Sequence, residues 1–233
     1  MGSIPQNLQA VKSRIDAAAR ACGRDPQSVR LLAVSKTHAP ARVREACAAG
    51  QRAFGENYVQ EALDKMAALA ELPLEWHLVG PLQSNKTRAV AERFDWVHTV
   101  DREKVARRLS EQRPAALAPL QVLVQVNVSG EASKSGVSPG EAAALARAVS
   151  GMPRLRLRGL MAVPEPTPDA ALQRARFRAL RELQESLRRE GLALDALSMG
   201  MSDDMEAAIA EGSTLVRIGT AIFGERTKVR DAA

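Results

Sequence analysis

Eight short runs of branched apolar residues recur along the chain, and a helical pattern fills each interval between them. Runs of this length that are rich in Val, Ile and Leu are typical of buried β-strands. The predicted strands are Val29–Lys36, Arg52–Tyr58, Leu74–Gly80, Trp96–Val100, Leu120–Val128, Leu155–Val163, Leu194–Met201 and Leu215–Gly224. Because parallel strands need a crossover between them, this alternation predicts a parallel sheet.

The intervals have the apolar period of amphipathic helices, and one more helical pattern precedes the first strand. The predicted helices are Ser3–Gly23, Ala41–Ala49, Val59–Leu69, Lys86–Phe94, Arg102–Gln112, Pro139–Val149, Pro168–Glu190 and Met205–Glu211. Eight strand–helix units with right-handed crossovers can close into a barrel, which removes the exposed sheet edges.

We therefore predict an α/β fold consisting of a single (β/α)8 TIM barrel with an extra N-terminal helix. No linker or repeat interrupts the pattern, so residues 1–233 are predicted to form one domain. An open doubly wound sheet is the alternative. It is weakened because no Gly-x-Gly-x-x-Gly motif follows the first strand.

Composition and charge name no macromolecular partner. The net charge is +6, yet aromatic residues make up only 3% of the chain and the arginines are spread over helical patterns. Nucleic-acid modules instead gather basic residues on one face, often beside aromatic stacking platforms. No apolar run approaches a membrane span, no signal peptide precedes the first helix, and Cys22 and Cys47 form no disulfide framework. We expect a cytoplasmic protein without nucleic-acid or membrane partners.

Lys36 is the first candidate functional residue, because it ends the apolar strand that begins at Val29. In a barrel of this kind the active site lies at the C-terminal ends of the strands. Burial lowers the pKa of an amine, and the neutral amine is a nucleophile toward carbonyl groups. The structural alternative is a lysine at a strand end that extends its amine into solvent.

The turn Ser198–Asp204 and the end of strand eight together predict a phosphate site. The turn runs into a helix, whose free backbone N–H groups and dipole favour an anion, and Ser202 or Asp203 is expected to cap it. An ordinary capped helix is the alternative. The acidic side chains must point away if phosphate binds there.

Arg217 shares one face of strand eight with Gly219, and it either lines the barrel mouth or forms a structural ion pair. A phosphate turn, a lysine across the mouth and an arginine between them would suit pyridoxal 5′-phosphate. The aldehyde would then meet Lys36, and the pyridine nitrogen would meet Arg217.

Six sequence strings appear in order and carry a resemblance to a known family. They are Ala33–Lys36, Phe54–Tyr58, Trp76–Lys86, Gly159–Met161, Ser198–Asp203 and Arg217–Gly224. Together they closely resemble the pyridoxal phosphate homeostasis proteins, the YggS/PROSC family. The resemblance covers nearly the whole chain, with small departures at Leu78 and Val79 and in the proline-rich loop Pro164–Pro168.

The resemblance implies a barrel of the alanine racemase N-terminal kind, which is the type III fold of enzymes that bind pyridoxal phosphate. It implies an aldimine between the cofactor and Lys36. Ser202, Gly219 and Thr220 would hold the phosphate, Asn57 and His77 would flank the ring, and Arg217 would face the ring nitrogen. The full set of implied cofactor-binding residues is Lys36, Asn57, His77, Met201, Ser202, Arg217, Gly219 and Thr220.

Three functional hypotheses follow. The leading one is a non-catalytic binder that helps to balance intracellular pyridoxal phosphate, because an arginine at the ring nitrogen leaves the ring a poorer electron sink than a carboxylate does. The second is a weak amino-acid racemase that uses Lys36 and another base, with His38 or Tyr58 as candidates. The third is a Schiff-base aldolase, weakened because no carboxylate is expected beside Lys36.

Partners and assembly follow from the same resemblance. Enzymes that lack their pyridoxal phosphate are the hypothesised recipients, and Lys134 in the loop after strand five is a hypothesised second amine in release. Alanine racemase supplies a second base, a tyrosine, from a separate C-terminal domain, and this chain ends at Ala233, so we expect a monomer. No metal site is predicted.

Overall fold

A closed barrel of eight parallel strands forms the centre of the protein, in the order β1 to β8. The structure is a computed structural model that describes residues 2–131 and 135–225. Its strands are β1 Arg30–Val34, β2 Ala53–Glu56, β3 Glu75–Leu78, β4 Trp96–Val100, β5 Leu120–Gln125, β6 Leu155–Met161, β7 Ala196–Ser198 and β8 Leu215–Ile218. β1 closes the barrel, because Ala33 lies opposite Phe54 of β2 and Ile218 of β8. The predicted barrel is confirmed.

Helices surround the barrel, and the extra N-terminal helix is present. They are α1 Ile4–Ala21, α2 Pro40–Ala48, α3 Val59–Ala68, α4 Thr87–Arg93, α5 Glu103–Gln112, α6 Pro139–Ser150, α7 Ala170–Arg189, α8 Met205–Ala210 and α9 Thr220–Phe223. A capping box of Ser3 and Gln6 starts α1. This helix packs on α8 and α9, the helices that follow the last two strands, and thereby lies beside the predicted phosphate turn.

Two groups of apolar residues fill the molecule. The larger group packs the outer face of the barrel against the helices, with Phe54, Phe94 and Phe177 among its largest side chains. A smaller group lies inside the barrel and consists of Trp96, Leu123, Met161, Ala196 and Leu215. The barrel is therefore a packed core, and ligands in barrels of this kind bind at the C-terminal end of the strands.

One predicted element is wrong in part. The sequence predicts a strand over Leu215–Gly224, but the strand ends at Ile218 and Thr220–Phe223 forms the short helix α9. Gly219 leaves the extended conformation, and its carbonyl accepts hydrogen bonds from the amides of Ile222 and Phe223, both at 2.9 Å. The run Ala-Ile-Phe is apolar because Ile222 and Phe223 are the buried side chains of α9, against which α1 packs.

Within the described residues, no helix combines the length and apolarity that crossing a membrane requires. The loop lysine Lys134 lies outside the described residues, so its hypothesised role in release stays a prediction.

Candidate functional site

A cavity of about 660 Å³ lies at the C-terminal end of the barrel. Seven of the eight predicted cofactor-binding residues line it, namely Lys36, Asn57, Met201, Ser202, Arg217, Gly219 and Thr220. His38 lines it as well, next to the ring of Phe223 at a centroid distance of 5.1 Å. His77 is not among the lining residues. The barrel topology thus brings strand ends that are far apart in sequence into one site.

The residues on either side of Lys36 are held by a buried ionic cluster. Lys65 of α3 donates from Nζ to the carbonyl of Ser35 at 2.7 Å, to Oε1 of Glu56 at 2.7 Å and to Oε1 of Glu61 at 2.6 Å. Ser35 Oγ donates to the same Glu56 oxygen at 2.6 Å. This cluster fixes the backbone from which the Lys36 side chain projects.

On the other side of Lys36, Thr37 has a left-handed backbone with φ of 66°, which is unusual for a residue other than glycine. Its amide donates to Oε1 of Glu61 at 2.5 Å. The expectation that no carboxylate lies beside Lys36 therefore needs correction, since Glu56 and Glu61 both bond to its chain neighbours. Neither carboxylate lines the cavity, however. Sequence reasoning missed them because the contact requires α3 to pack against the end of β1.

The turn between β7 and α8 depends on Gly200. Its φ of +98° is in the left-handed region, and a Cβ there would lie 2.6 Å from the Cβ of Ala208. Asp204, rather than the predicted Ser202 or Asp203, is the N-cap of α8. Its Oδ1 accepts from the amide of Met201 at 2.6 Å, so the carboxylate closes the turn. Burial raises the pKa of Asp204.

The two acidic side chains of the turn differ in their orientation. Asp204 is turned toward the Met201 amide, as a phosphate site requires, whereas Asp203 is exposed and lies at the cavity wall. Arg14 of α1 also lines the cavity. It donates to the carbonyl of Ser202 at 3.3 Å and forms a 2.8 Å ion pair with Glu206. Sequence reasoning missed Arg14 because one helical arginine among many carries no signal of its own.

Asn57 is placed by a close approach of two backbones. A Cβ on Gly80 would lie 2.3 Å from the carbonyl oxygen of Asn57 and 2.6 Å from its Cα, so only glycine fits there. Gly80 in turn accepts a 2.8 Å hydrogen bond from Oγ1 of Thr99 through its carbonyl. The ends of β2, β3 and β4 are thus locked together at the edge of the cavity.

Arg217 lies at the floor of the cavity and is buried. It donates from Nη1 to Ser198 Oγ at 2.8 Å and from Nη2 to the carbonyl of Ala162 at 2.9 Å. Among the described residues, no carboxylate forms a salt bridge with it, so the alternative of a structural ion pair is not what the structure contains. Burial lowers the pKa of Arg217 to about 10, which leaves the guanidinium charged at neutral pH.

His77 lies deeper in the barrel than the cavity. Its ring stacks on Trp96 at a centroid distance of 5.3 Å, and its two nitrogens contact His98 and Glu75. His98 of β4 is equally buried. The structure therefore brings His77 into a polar group below the cavity, and a contact of His77 with a ring in the cavity stays a prediction.

The closed barrel and the cavity lined by Lys36 and Arg217 define a class of protein. Comparison with known proteins identifies that class. Residues 6–227 match the sequence family described as the alanine racemase N-terminal domain. A pyridoxal phosphate homeostasis protein of Pseudomonas aeruginosa is 65% identical over 226 residues, which is 97% of both chains. One of Vibrio cholerae is 59% identical over the full length of both.

A solved structure supports the same assignment. PipY of Synechococcus elongatus, with pyridoxal phosphate bound, has a TM-score of 0.84 and 39% sequence identity, and the match covers 95% of this chain and all of that one. The chain belongs to the family of pyridoxal phosphate homeostasis proteins, and the resemblance drawn from its motifs is confirmed.

Proposed function

We propose that the protein binds pyridoxal 5′-phosphate in the barrel cavity as a Lys36 aldimine and takes part in the intracellular balance of this cofactor. One observation carries the proposal. Four residues whose side chains end in an amine, a guanidinium and two hydroxyls line the same cavity, namely Lys36, Arg217, Ser202 and Thr220. The cofactor bound by PipY, 39% identical to this chain, supports it.

The chemistry of the lining residues matches the groups of pyridoxal phosphate one by one. The Lys36 amine would react with the aldehyde, and the Arg217 guanidinium would donate to the ring nitrogen. The hydroxyls of Ser202 and Thr220, with the small residue Gly219, would bind the phosphate. Two cations besides Lys36, namely Arg14 and Arg217, line the cavity and offset the phosphate charge. A volume of about 660 Å³ is within the range of sites for small cofactors.

The proposal treats the protein as a binder and not as an enzyme. Arginine at the ring nitrogen donates a hydrogen bond and keeps its proton, so the ring withdraws electrons less strongly than a protonated ring. A weak amino-acid racemase or related enzyme is the second candidate. The presence of His38 in the cavity wall favours it, because an imidazole there could exchange a proton.

The proposal also covers the recipients of the cofactor, the oligomeric state of the protein and its location. Its recipients are enzymes that have lost or not yet gained pyridoxal phosphate, and it acts as a monomer in the cytoplasm. The free thiols of Cys22 and Cys47 are compatible with a reducing compartment. Sedimentation velocity at several protein concentrations tests the monomer.

The decisive experiment removes the amine. Purified protein with pyridoxal phosphate is expected to show an aldimine absorbance band, and borohydride reduction should fix the cofactor on the peptide that contains Lys36. Lys36→Ala and Lys36→Arg should both lose the band and the adduct, because neither side chain forms a Schiff base. Lys104→Ala, at an exposed position on α5, is the control and should behave like the parent. An unchanged band in Lys36→Arg would contradict the proposal.

A further inference from the structure

A continuous chain of hydrogen bonds crosses the barrel interior below the cavity. Ser198 Oγ lies 2.9 Å from Nδ1 of His98, and Nε2 of His98 lies 2.9 Å from Nδ1 of His77. Nε2 of His77 lies 2.6 Å from Oε1 of Glu75 at the start of β3. Arg217 joins the upper end, since its Nη1 donates to Ser198 Oγ at 2.8 Å. The chain spans strands β8, β7, β4 and β3.

The lower end of the chain fixes the direction of its hydrogen bonds. The hydrogen bond from His77, helped by the nearby Arg30, lowers the pKa of Glu75 to about 2, so its carboxylate is ionised and only accepts. Burial lowers the pKa of both His77 and His98, so each ring is neutral with one N–H. His77 must therefore donate from Nε2 to Glu75 and accept at Nδ1 from His98.

The hydrogen bonds between His98 and Arg217 have a fixed direction as well. Because Nε2 of His98 carries its proton, Nδ1 is an acceptor and takes the hydroxyl proton of Ser198. The oxygen of Ser198 then faces Arg217 only as an acceptor. Every hydrogen bond between Arg217 and Glu75 runs in one direction, and both ring nitrogens of each histidine have a partner. Reversal would require a proton on Glu75.

We propose that Ser198, His98, His77 and Glu75 are positioning residues that hold the Arg217 guanidinium for donation to the ring nitrogen of pyridoxal phosphate. The inference rests on the proposed function, which puts that nitrogen beside Arg217. Two anchors, Ser198 Oγ and the Ala162 carbonyl, restrain the guanidinium in its plane. Through His98 and His77, the hydrogen-bonded series connects Ser198 to the ionised carboxylate of Glu75 on β3.

A buried polar chain could also serve only to specify the packing of the barrel interior. The two roles differ in which part of the ligand they affect. If the residues position Arg217, their loss lowers the affinity only for ligands that have the ring nitrogen. If they serve packing, their loss lowers the affinity for any ligand of the same shape. The appropriate probe is 1-deazapyridoxal 5′-phosphate, in which a C–H replaces the ring nitrogen.

The experiment measures Kd for pyridoxal phosphate and for the deaza analogue with the parent protein and two variants. Ser198→Ala removes the acceptor for Arg217, and His98→Leu removes the next link. The affinity for pyridoxal phosphate should fall about 10-fold, the size of one hydrogen bond to a charged group, while the affinity for the analogue stays constant. Ser198→Thr, which keeps the hydroxyl, should restore the preference. Ser110→Ala, a buried serine on α5, is the control.

Each result of these binding measurements either supports or contradicts the positioning role of the four residues. A parent protein that does not prefer pyridoxal phosphate over the analogue contradicts the placement of Arg217, and the inference falls with it. A preference that survives in both variants contradicts the positioning chain alone and leaves the proposed function intact. An equal loss of both ligands assigns the chain to packing. Circular dichroism and thermal melting confirm that the variants are folded before binding is measured.

Discussion

At the residue scale, the two hydroxyls at the cavity wall give a direct test of where the phosphate lies. Ser202→Ala combined with Thr220→Val should weaken pyridoxal phosphate binding by about 10-fold or more, because a hydrogen bond to a charged group contributes about 1.5–3 kcal/mol. Backbone donors remain, so binding should fall and not vanish. Isothermal titration calorimetry measures the change.

The matched control for this pair is Ser150→Ala, which removes an exposed hydroxyl at the end of α6. It should bind the cofactor with the parent's affinity. An unaltered Kd in the double variant would mean that the phosphate occupies another part of the cavity.

Single residues also show what could and could not be predicted from the sequence. Lys36 was predictable because its position at the end of an apolar strand fixes its place at the barrel mouth. The contact of His77 with His98 was not, because β3 and β4 must come into register before the two rings meet. The contact of His98 with Ser198 was not predictable either, because it joins β4 to β7 across the barrel. Sequence order gives the strands, but side-chain contacts across four of them depend on the closed barrel.

At the element scale, the junction of β1, β2 and α3 depends on the buried ammonium of Lys65. Lys65→Met should lower the free energy of unfolding by about 3–5 kcal/mol, because it leaves the buried Glu56 carboxylate without its counter-ion. Burial already raises the pKa of Glu56 against the opposing effect of Lys65. Urea denaturation followed by circular dichroism measures the loss.

Two further variants make this prediction specific. Glu56→Gln in the Lys65→Met background should recover part of the lost stability, since it removes the uncompensated charge. Lys104→Met, at an exposed position on α5, should change stability by roughly 0.5 kcal/mol or less. Equal stability of Lys65→Met and Lys104→Met would mean that the cluster is energetically unimportant.

The elements themselves were largely predictable, and their ends were not. Eight apolar runs with helices between them leave few alternatives to a parallel barrel, because parallel strands require crossovers. The end of β8 was mispredicted because Thr220–Phe223 carries residues that suit a strand and a buried helix equally well. The N-cap of α8 was mispredicted because Ser202, Asp203 and Asp204 are consecutive candidates, and the helix begins one residue later than expected, after Asp204.

At the scale of the whole molecule, the barrel has an apolar layer outside, while inside it a polar hydrogen-bonded chain lies beside a smaller apolar group. The outer layer between barrel and helices supplies most of the buried apolar surface. Besides that apolar group, the interior contains the hydrogen-bonded residues from Glu75 to Arg217, and this series ends at the cavity floor. The interior therefore presents one cation, the Arg217 guanidinium, to the cavity.

The same arrangement predicts very slow chemistry at an amino acid. Arg217 keeps its charge at neutral pH, since its pKa is about 10. Under the proposed function it would donate to the ring nitrogen without protonating it, which would weaken withdrawal of electrons from an α-carbon. Tyr58, the only tyrosine, is 58% exposed and is not among the described cavity residues. Exchange of the alanine α-proton with D2O, followed by proton NMR, should therefore be far slower than the roughly 1–10³ per second of ordinary enzymes. Exchange in that range would contradict the binder proposal, and its loss in His38→Gln would identify His38 as the base.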